Sequence, residues 1–337
     1  LPYMAIGNYV DLNDPEGPFF ACDSHQLIAP ETGIYRTIIL EPGFCSLSML
    51  AARDASGTKR LRISNDRQYY VRNGHEQMWD ISENRFLNDA DGWEKFSIWG
   101  MGIASRDITG DGRDEVVLTS MGDQLLRIAG ADGTYSNAPF STGTYAHRPY
   151  FGDDGRPSTG WHAQFGDVDN DGHADLFISK GNVDQMPSNA IRDPNNLLMQ
   201  QSDGTFLETG QTAGVASLER GRGAALADFD LDGLLDILVL NRRAPMEIYR
   251  NITETQGHWI GITLLQDGGN VNAVGALVKV GNDSQQLIIG GGHAGGQAVP
   301  LHFGLGTSKQ VNITVEWPNG LVTHHSAKAD QIITIQR

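Results

Sequence analysis

The sequence predicts an all-β protein: a β-propeller of about four or five recognisable blades with calcium loops, followed by a small β-sandwich-like domain. Three observations carry that prediction. Glycine is abundant, at 41 residues against 13 prolines, and few segments show helical periodicity, which reads as many short strands joined by tight turns. An acidic loop recurs at a nearly fixed interval through the middle of the chain. After its last copy come short β-branched runs divided by Gly, Asn and Pro.

The best copy of the loop lies in "FGDVDNDGHADLFISKGN", Phe165 to Asn182. Asp167, Asp169, Asp171 and Asp175 stand at positions 1, 3, 5 and 9 of a short loop, where like charges repel unless something neutralises them. A hard cation with oxygen ligands would do so, and calcium takes six to eight of them. Gly172 at position 6 allows the sharp turn, and His173 at position 7 would offer its backbone carbonyl. An EF-hand needs a longer loop between two helices, whereas the segment after Asp175 is short, apolar and strand-like.

The pattern repeats on either side. "RDITGDGRDEVVLTS" supplies Asp107, Thr109, Asp111, Arg113 (by its carbonyl) and Glu115; "LADFDLDGLLDILVLN" supplies Asp228, Asp230, Asp232, Leu234 (by its carbonyl) and Asp236. The first-position aspartates are 60 and then 61 residues apart. About three Ca²⁺ sites follow as an expectation, with the Asp107 loop the poorest in carboxylates. Upstream, "ARDASGTKRLRISND" keeps Asp54, Ser56 and Gly57 but has Ala52 at position 1 and Arg60 at position 9, a copy in which Arg60 serves as an internal cation. A small or glycine-rich strand precedes each loop, an apolar strand follows, and a hairpin such as "AGADGTY" or "QQSDGTF" closes the unit. About four short strands per repeat is a propeller blade.

These loops resemble the FG-GAP or VCBS type repeats of integrin α-chain propellers and of many bacterial surface proteins. The segments "HWIGITLLQDGGNVNAVGALVKVG" (258–281), "GGHAGGQAVPLHFGLG" (291–306) and "VNITVEWPNG" (311–320) resemble the ASPIC/UnbV domain that follows such repeats in the cartilage acidic protein family. The resemblance runs from about residue 48 to the C-terminus. It implies three parts: an N-terminal segment or degenerate blade over 1–47, an FG-GAP/VCBS-type propeller over 48–255 and an ASPIC/UnbV-like β domain over 256–337. Such propellers usually have more blades than this chain can hold, so either the blades close as an unusually small ring or an open edge is covered by the N-terminal segment, by the sandwich or by a second subunit, the expectation here being coverage or assembly.

Composition narrows the function. A net charge of −16 argues against nucleic acid or an anionic membrane surface as partner. No apolar run approaches the length of a membrane-spanning helix. Cys22 and Cys45, the only cysteines, form either a disulfide or two buried thiols, and an oxidising, calcium-rich compartment favours the disulfide. "LPYMAIGNYV" lacks the basic start and apolar core of a signal peptide, as a processed chain would. Extracellular, cell-surface or periplasmic placement is the expectation.

The leading functional reading is an extracytoplasmic interaction or adhesion module that presents a propeller face to a protein or carbohydrate, with self-assembly or a larger complex as a further possibility. The alternative is a propeller-based enzyme of lyase or natural-product cyclase type, with His147 or His162 as general base in an axial pocket. No nucleophile elbow, HExxH or paired Cys and His supports catalysis. His324 and His325, adjacent in a predicted strand, point to opposite faces and cannot easily share an ion with each other or with His302. "GGGHAGGQ" lacks the helix of a phosphate cradle and is expected as a loop at the sandwich edge or facing the propeller.

Overall fold

The strand Asp175–Lys180, buried along its whole length with an apolar centre at Leu176–Ile178, shows how the chain builds its core. Alternate side chains point to opposite faces, so Leu176 and Ile178 enter one hydrophobic cluster while Phe177 enters another. A strand buried on both faces belongs to a sheet packed between two others, which is the situation of a propeller blade. The computed structural model describes residues 3–15, 21–32, 34–66, 74–145, 158–183, 193–255, 257–293, 296 and 300–337.

The chain opens with a three-stranded sheet, β1 (Met4–Ile6), β2 (His25–Glu31) and β3 (Ile34–Leu40). Four antiparallel meanders follow. Blade I comprises β4 (Ser46–Arg53), β5 (Lys59–Asn65), β6 (Gln77–Asp80) and β7 (Arg85–Phe86). Blade II comprises β8 (Gly100–Arg106), β9 (Glu115–Gly122), β10 (Leu125–Ala129) and β11 (Tyr135–Asn137). Blade III comprises β12 (Ser158–Gly166), β13 (Asp175–Lys180), β14 (Asn196–Gln200) and β15 (Phe206–Glu208). Blade IV has three strands, β16 (Gly221–Ala227), β17 (Asp236–Asn241) and β18 (Glu247–Tyr249).

The first strands stand side by side, β4 with β8, β8 with β12 and β12 with β16. A short pairing of Ser158 and Thr159 with Gly122 and Met121 also ties blade III to blade II. Apolar clusters fill the gaps between neighbours: Val117 and Leu126 against Phe165 and Leu176, then Phe177 and Leu197 against Leu226 and Val239. Each fully buried side chain of this size contributes roughly 1.5–3 kcal/mol. Among the described residues no strand pairing joins blade IV back to blade I, and the blades form an arc.

The free flank of blade I is covered. Leu27 and Leu40 of the N-terminal sheet pack with Leu61, Ile63 and Trp79, and a Cys22–Cys45 disulfide fastens that sheet beside β4. Of the candidates for covering the open edge, the N-terminal segment takes blade I. At the other end Leu240, Met246 and Ile248 of blade IV remain exposed.

The rest of the chain forms two sheets face to face. One has the order β22 (Leu301–Gly306), β19 (His258–Leu265), β25 (Gln331–Gln336), with β19 and β25 parallel; the other runs β21 (Asp283–Gln286), β20 (Leu277–Val280), β23 (Gln310–Glu316), β24 (Val322–Lys328). Strict alternation in β23 sends Val311, Ile313 and Val315 inward to meet Ile260, Phe303 and Trp317. His324 and His325 lie on β24, where His324 meets Thr314 and His325 meets Thr323.

Candidate functional site

The three acidic loops join the first and second strands of blades II, III and IV, and each is folded by the same hydrogen bonds. The first-position carboxylate accepts backbone N–H groups from positions 5 and 6: Asp111 and Gly112 to Asp107 at 3.2 and 2.8 Å, Asp171 and Gly172 to Asp167 at 3.1 and 2.7 Å, Asp232 and Gly233 to Asp228 at 3.1 and 2.9 Å. The ninth-position carboxylate reaches back to the amide of position 2, Ile108, Val168 or Phe229, at 3.0, 2.9 and 3.0 Å. Its second oxygen holds a neighbouring strand or the chain just beyond one: Asp175 accepts from Gln200 N at 2.9 Å and Asp236 from Asn251 N at 2.7 Å.

This arrangement gathers acidic oxygens. In the blade III loop one oxygen each from Asp167, Asp169 and Asp175 lies within 4.8 Å of the others, and Asp228, Asp230 and Asp236 do the same in blade IV. Asp107, Asp111 and Glu115 form no such acidic group among the described residues. The fifth-position aspartates stand aside from both groups. Asp171 Oδ1 and Asp232 Oδ1 accept from the N–H of His173 and Leu234, at 2.8 and 3.0 Å, while Asp111 accepts from Arg113 N and ion-pairs with its guanidinium. In blade IV Arg250 bridges Asp230 at 2.6 Å and Asp232 at 3.4 Å.

Burial without a counter-charge is costly for carboxylates, and their affinity for protons reports it. Desolvation pushes Asp175 up to about 8, Asp167 to about 7 and Glu115 to about 7, and it also raises Asp107, Asp169 and Asp228. All the donors are oxygens, the set preferred by a hard divalent cation. The fit is good in blades III and IV.

Blade I departs from the pattern. Its loop spans only Asp54–Thr58, against Asp107–Asp114 in blade II, because Arg53 pairs with Lys59. Arg60 does act as the internal cation: its guanidinium contacts Asp54 and lies 3.3 Å from Asp80. The retained turn glycine, Gly57, hides this shortening in the sequence.

The sequence also gave no sign that the loops are covered. The C-terminal sandwich sits directly on them. His302 Nε2 lies 3.1 Å from Gly233 O, Gly306 N donates to Asn170 O at 3.1 Å, Thr255 Oγ1 donates to Asp169 O at 2.5 Å, and Arg106 beside Asp107 ion-pairs with Asp283 at 2.5 Å. β22 passes so close that a Cβ at Gly304 would fall 1.7 Å from Asp167 Oδ2, which makes glycine obligatory there. Contacts between residues more than 60 positions apart leave no trace in local periodicity. The frequency of glycine near His302 was the only available signal.

The glycine run faces the propeller. Gly291 N donates to Met49 O and Gly292 N to Ile103 O, so the segment lies across the first strands of blades I and II. Beneath it His162 is 2% exposed, and burial pushes its imidazole down to about 4. The cavity beside it has a volume of about 30 Å³, and its lining includes Arg106 and Gln164 but no carboxylate. His147 lies outside the described residues. Trp161 meets His293 in a tilted ring contact at 4.8 Å and carries Arg222 over its ring at 4.0 Å.

Comparison with known proteins agrees with this geometry. The FG-GAP-like repeat family matches residues 107–178, which span the first two acidic loops, and the ASPIC and UnbV family matches residues 266–337. This chain carries an FG-GAP-like repeat and an ASPIC and UnbV region. The chain is similar to cartilage acidic protein 1 of Mus musculus, 30% identical over 177 residues, and of Homo sapiens, 24% identical over 177 residues. Each match takes in 50% of this chain and about a quarter of the relative (27% and 26%). Among solved structures it is similar to the Dos1 propeller (TM-score 0.37, 11% identity, 96% of this chain and 82% of that one) and to an Agrocybe aegerita lectin that recognises non-reducing terminal N-acetylglucosamine (TM-score 0.35, 17% identity, 68% and 60%).

Proposed function

We propose that this propeller-like FG-GAP protein is a calcium-stabilised, extracytoplasmic interaction module. The observation that carries the reading is the all-oxygen cluster of Asp167, Asp169 and Asp175, with Asp167 and Asp175 buried and Asp169 half-buried, repeated in more open form at Asp228, Asp230 and Asp236, of which only Asp236 is buried. A bound divalent cation supplies positive charge there; the aspartates hold it, and the backbone amides of the loop keep the carboxylates oriented. Thr109 and Glu115 make the Asp107 site the weakest of the three. The disulfide fits an oxidising compartment, and among the described residues no helix is long and apolar enough to cross a membrane. A partner surface on the arc of blades follows from the adhesion reading of such repeats.

The enzymatic alternative needs an accessible general base in a cleft with an acid. His162 is covered by Gly292, and its small cavity has room for about one or two waters. The interaction reading therefore stands ahead. Thermal unfolding with calcium and with excess EDTA tests it, together with metal counts by mass spectrometry on Asp175→Asn and Asp236→Asn. A midpoint lowered by several degrees in EDTA, and one equivalent of calcium lost in each variant, is the expected result. An unchanged midpoint and unchanged metal content would remove calcium from the account.

A further inference from the structure

A cavity of about 420 Å³ opens between blades I and II, far larger than the space beside His162. Two arginines form its floor. Arg62 projects from β5 and Arg127 from β10, and each is only 4% exposed. Alternation explains their direction: Leu61 and Ile63 pack with the N-terminal sheet, so Arg62 between them is turned toward blade II. Arg127 is well supplied with partners, namely Asn137 Oδ1 at 2.7 Å, Tyr135 O at 2.9 Å and Glu94 at 2.6 Å. Arg62 is not. Its buried Nη2 has no hydrogen-bond partner among the described residues, nor does the buried hydroxyl of Tyr135.

A buried guanidinium with an idle N–H is expensive to maintain; Tyr135 and the Glu76 carboxyl nearby offset part of the desolvation, while the neighbouring Arg127 adds repulsion. Aromatic rings offset part of that cost: Arg62 lies 4.8 Å from the centroid of Tyr135 and 5.1 Å from that of Trp93, and Arg127 lies 4.5 Å from that of Phe96. The floor is thus cationic, the walls are aromatic, and the rim is polar, with Thr134, Ser136 and Asn137 exposed.

We propose that this inter-blade cavity binds an acidic sugar. The carboxylate of a uronic acid matches the unfilled fork of Arg62, the apolar face of its ring suits the aromatic walls, and its hydroxyls meet the polar rim. The volume accommodates one such ring with space for its neighbour at the mouth. Glu94, 64% exposed, now holds Arg127 and acts as a competing carboxylate at the entrance. The site is separate from the acidic loops and stands whether or not they hold calcium.

Isothermal titration with methyl β-D-glucuronide, methyl β-D-glucoside and sodium acetate tests the proposal. The glucuronide is expected to bind saturably and at least tenfold more tightly than either of the others, since the glucoside lacks the charge and acetate lacks the ring. Glu94→Gln, an exposed change, should tighten glucuronide binding about threefold, and Arg62→Lys should weaken it tenfold or more with the melting midpoint held within a few degrees. Absence of glucuronide binding in both the wild type and Glu94→Gln would overturn the proposal. So would glucoside or acetate binding as tightly as the glucuronide, or tight binding that survives Arg62→Lys.

Discussion

The sixth position of each acidic loop offers a matched set of perturbations. Gly112, Gly172 and Gly233 all hold left-handed backbone, with φ of 85°, 95° and 91°. Alanine at any of them therefore incurs a similar backbone penalty, about 1 kcal/mol. Their surroundings differ. A Cβ at Gly112 meets nothing within 4 Å, and one at Gly172 meets only Gly306 N at 3.9 Å. At Gly233 it would fall 1.9 Å from Trp259 Nε1 and 2.2 Å from Trp259 Cε2, so the indole and the sandwich that carries it must move. Overpacking of this kind costs typically 1–3 kcal/mol. Gly112→Ala and Gly172→Ala should each lose about 1 kcal/mol, and Gly233→Ala about 2–4 kcal/mol, in urea unfolding at fixed calcium. Limited proteolysis should also release the sandwich from the Gly233 variant alone. Equal losses at all three glycines would refute the claim that the sandwich rests on the loops.

Position 4 gives a second test: Leu231 adopts φ of 63° while 69% exposed, and Asn170 fills the same place in blade III, so Leu231→Asn should raise stability by about 0.5–1 kcal/mol in thermal or urea unfolding. Glu76 is fully buried, and desolvation pushes it up to about 7 from 4.5. Between those values the folded state holds a proton that the unfolded state has released, so this group's contribution is complete below pH 4.5 and is lost as pH rises through 7. Glu76→Gln should accordingly gain up to about 3 kcal/mol over the wild type across that interval, and a pH-independent difference between the two would contradict the assignment. Replacing Cys22 and Cys45 by Ser opens a loop of 23 residues and should cost about 3 kcal/mol, with hydrogen exchange rising first in β2 and β3.

Much of this molecule is legible in its sequence because its chemistry is local. The spacing of Asp167, Asp169, Asp171 and Gly172 specifies a turn within a few residues, and its recurrence at Asp107 and Asp228 gives the period of the blades. The consecutive apolar residues Leu176, Phe177 and Ile178 of β13 announce burial on both faces. The strands of the sandwich are equally plain, since Val311, Ile313 and Val315 alternate without interruption. Non-local features were hidden. Nothing near Gly233 indicates Trp259 above it, and nothing near Asp167 indicates Gly304. In blade I the turn residue Gly57 is kept while Arg53 already pairs with Lys59, so the sequence conceals the shorter loop. Arg127 did leave a signal, as the lone cation of the strand "LLRIA" with the aromatic stretch "DGWEKFSIWG" upstream of it, whereas Arg62 shares its strand with Lys59 and Arg60 and does not stand out.

The seat of the sandwich on the blades has a kinetic consequence. Asp167 is 1% exposed beneath β22, and the carbonyls of Asn170 and Gly233 are engaged from above by Gly306 and His302. The Asp167 carboxylate is closed off on this side by the sandwich, while Asp169 of the same loop stays half-buried. Exchange at the Asp167 carboxylate is then slowed by the sandwich that covers it, and it should be slower than at Asp230, which faces the solvent. The same coupling runs in reverse: an occupant that favours the closed arrangement also holds the two parts of the chain together, so the rigidity of the whole molecule becomes a function of what fills a loop of a few residues.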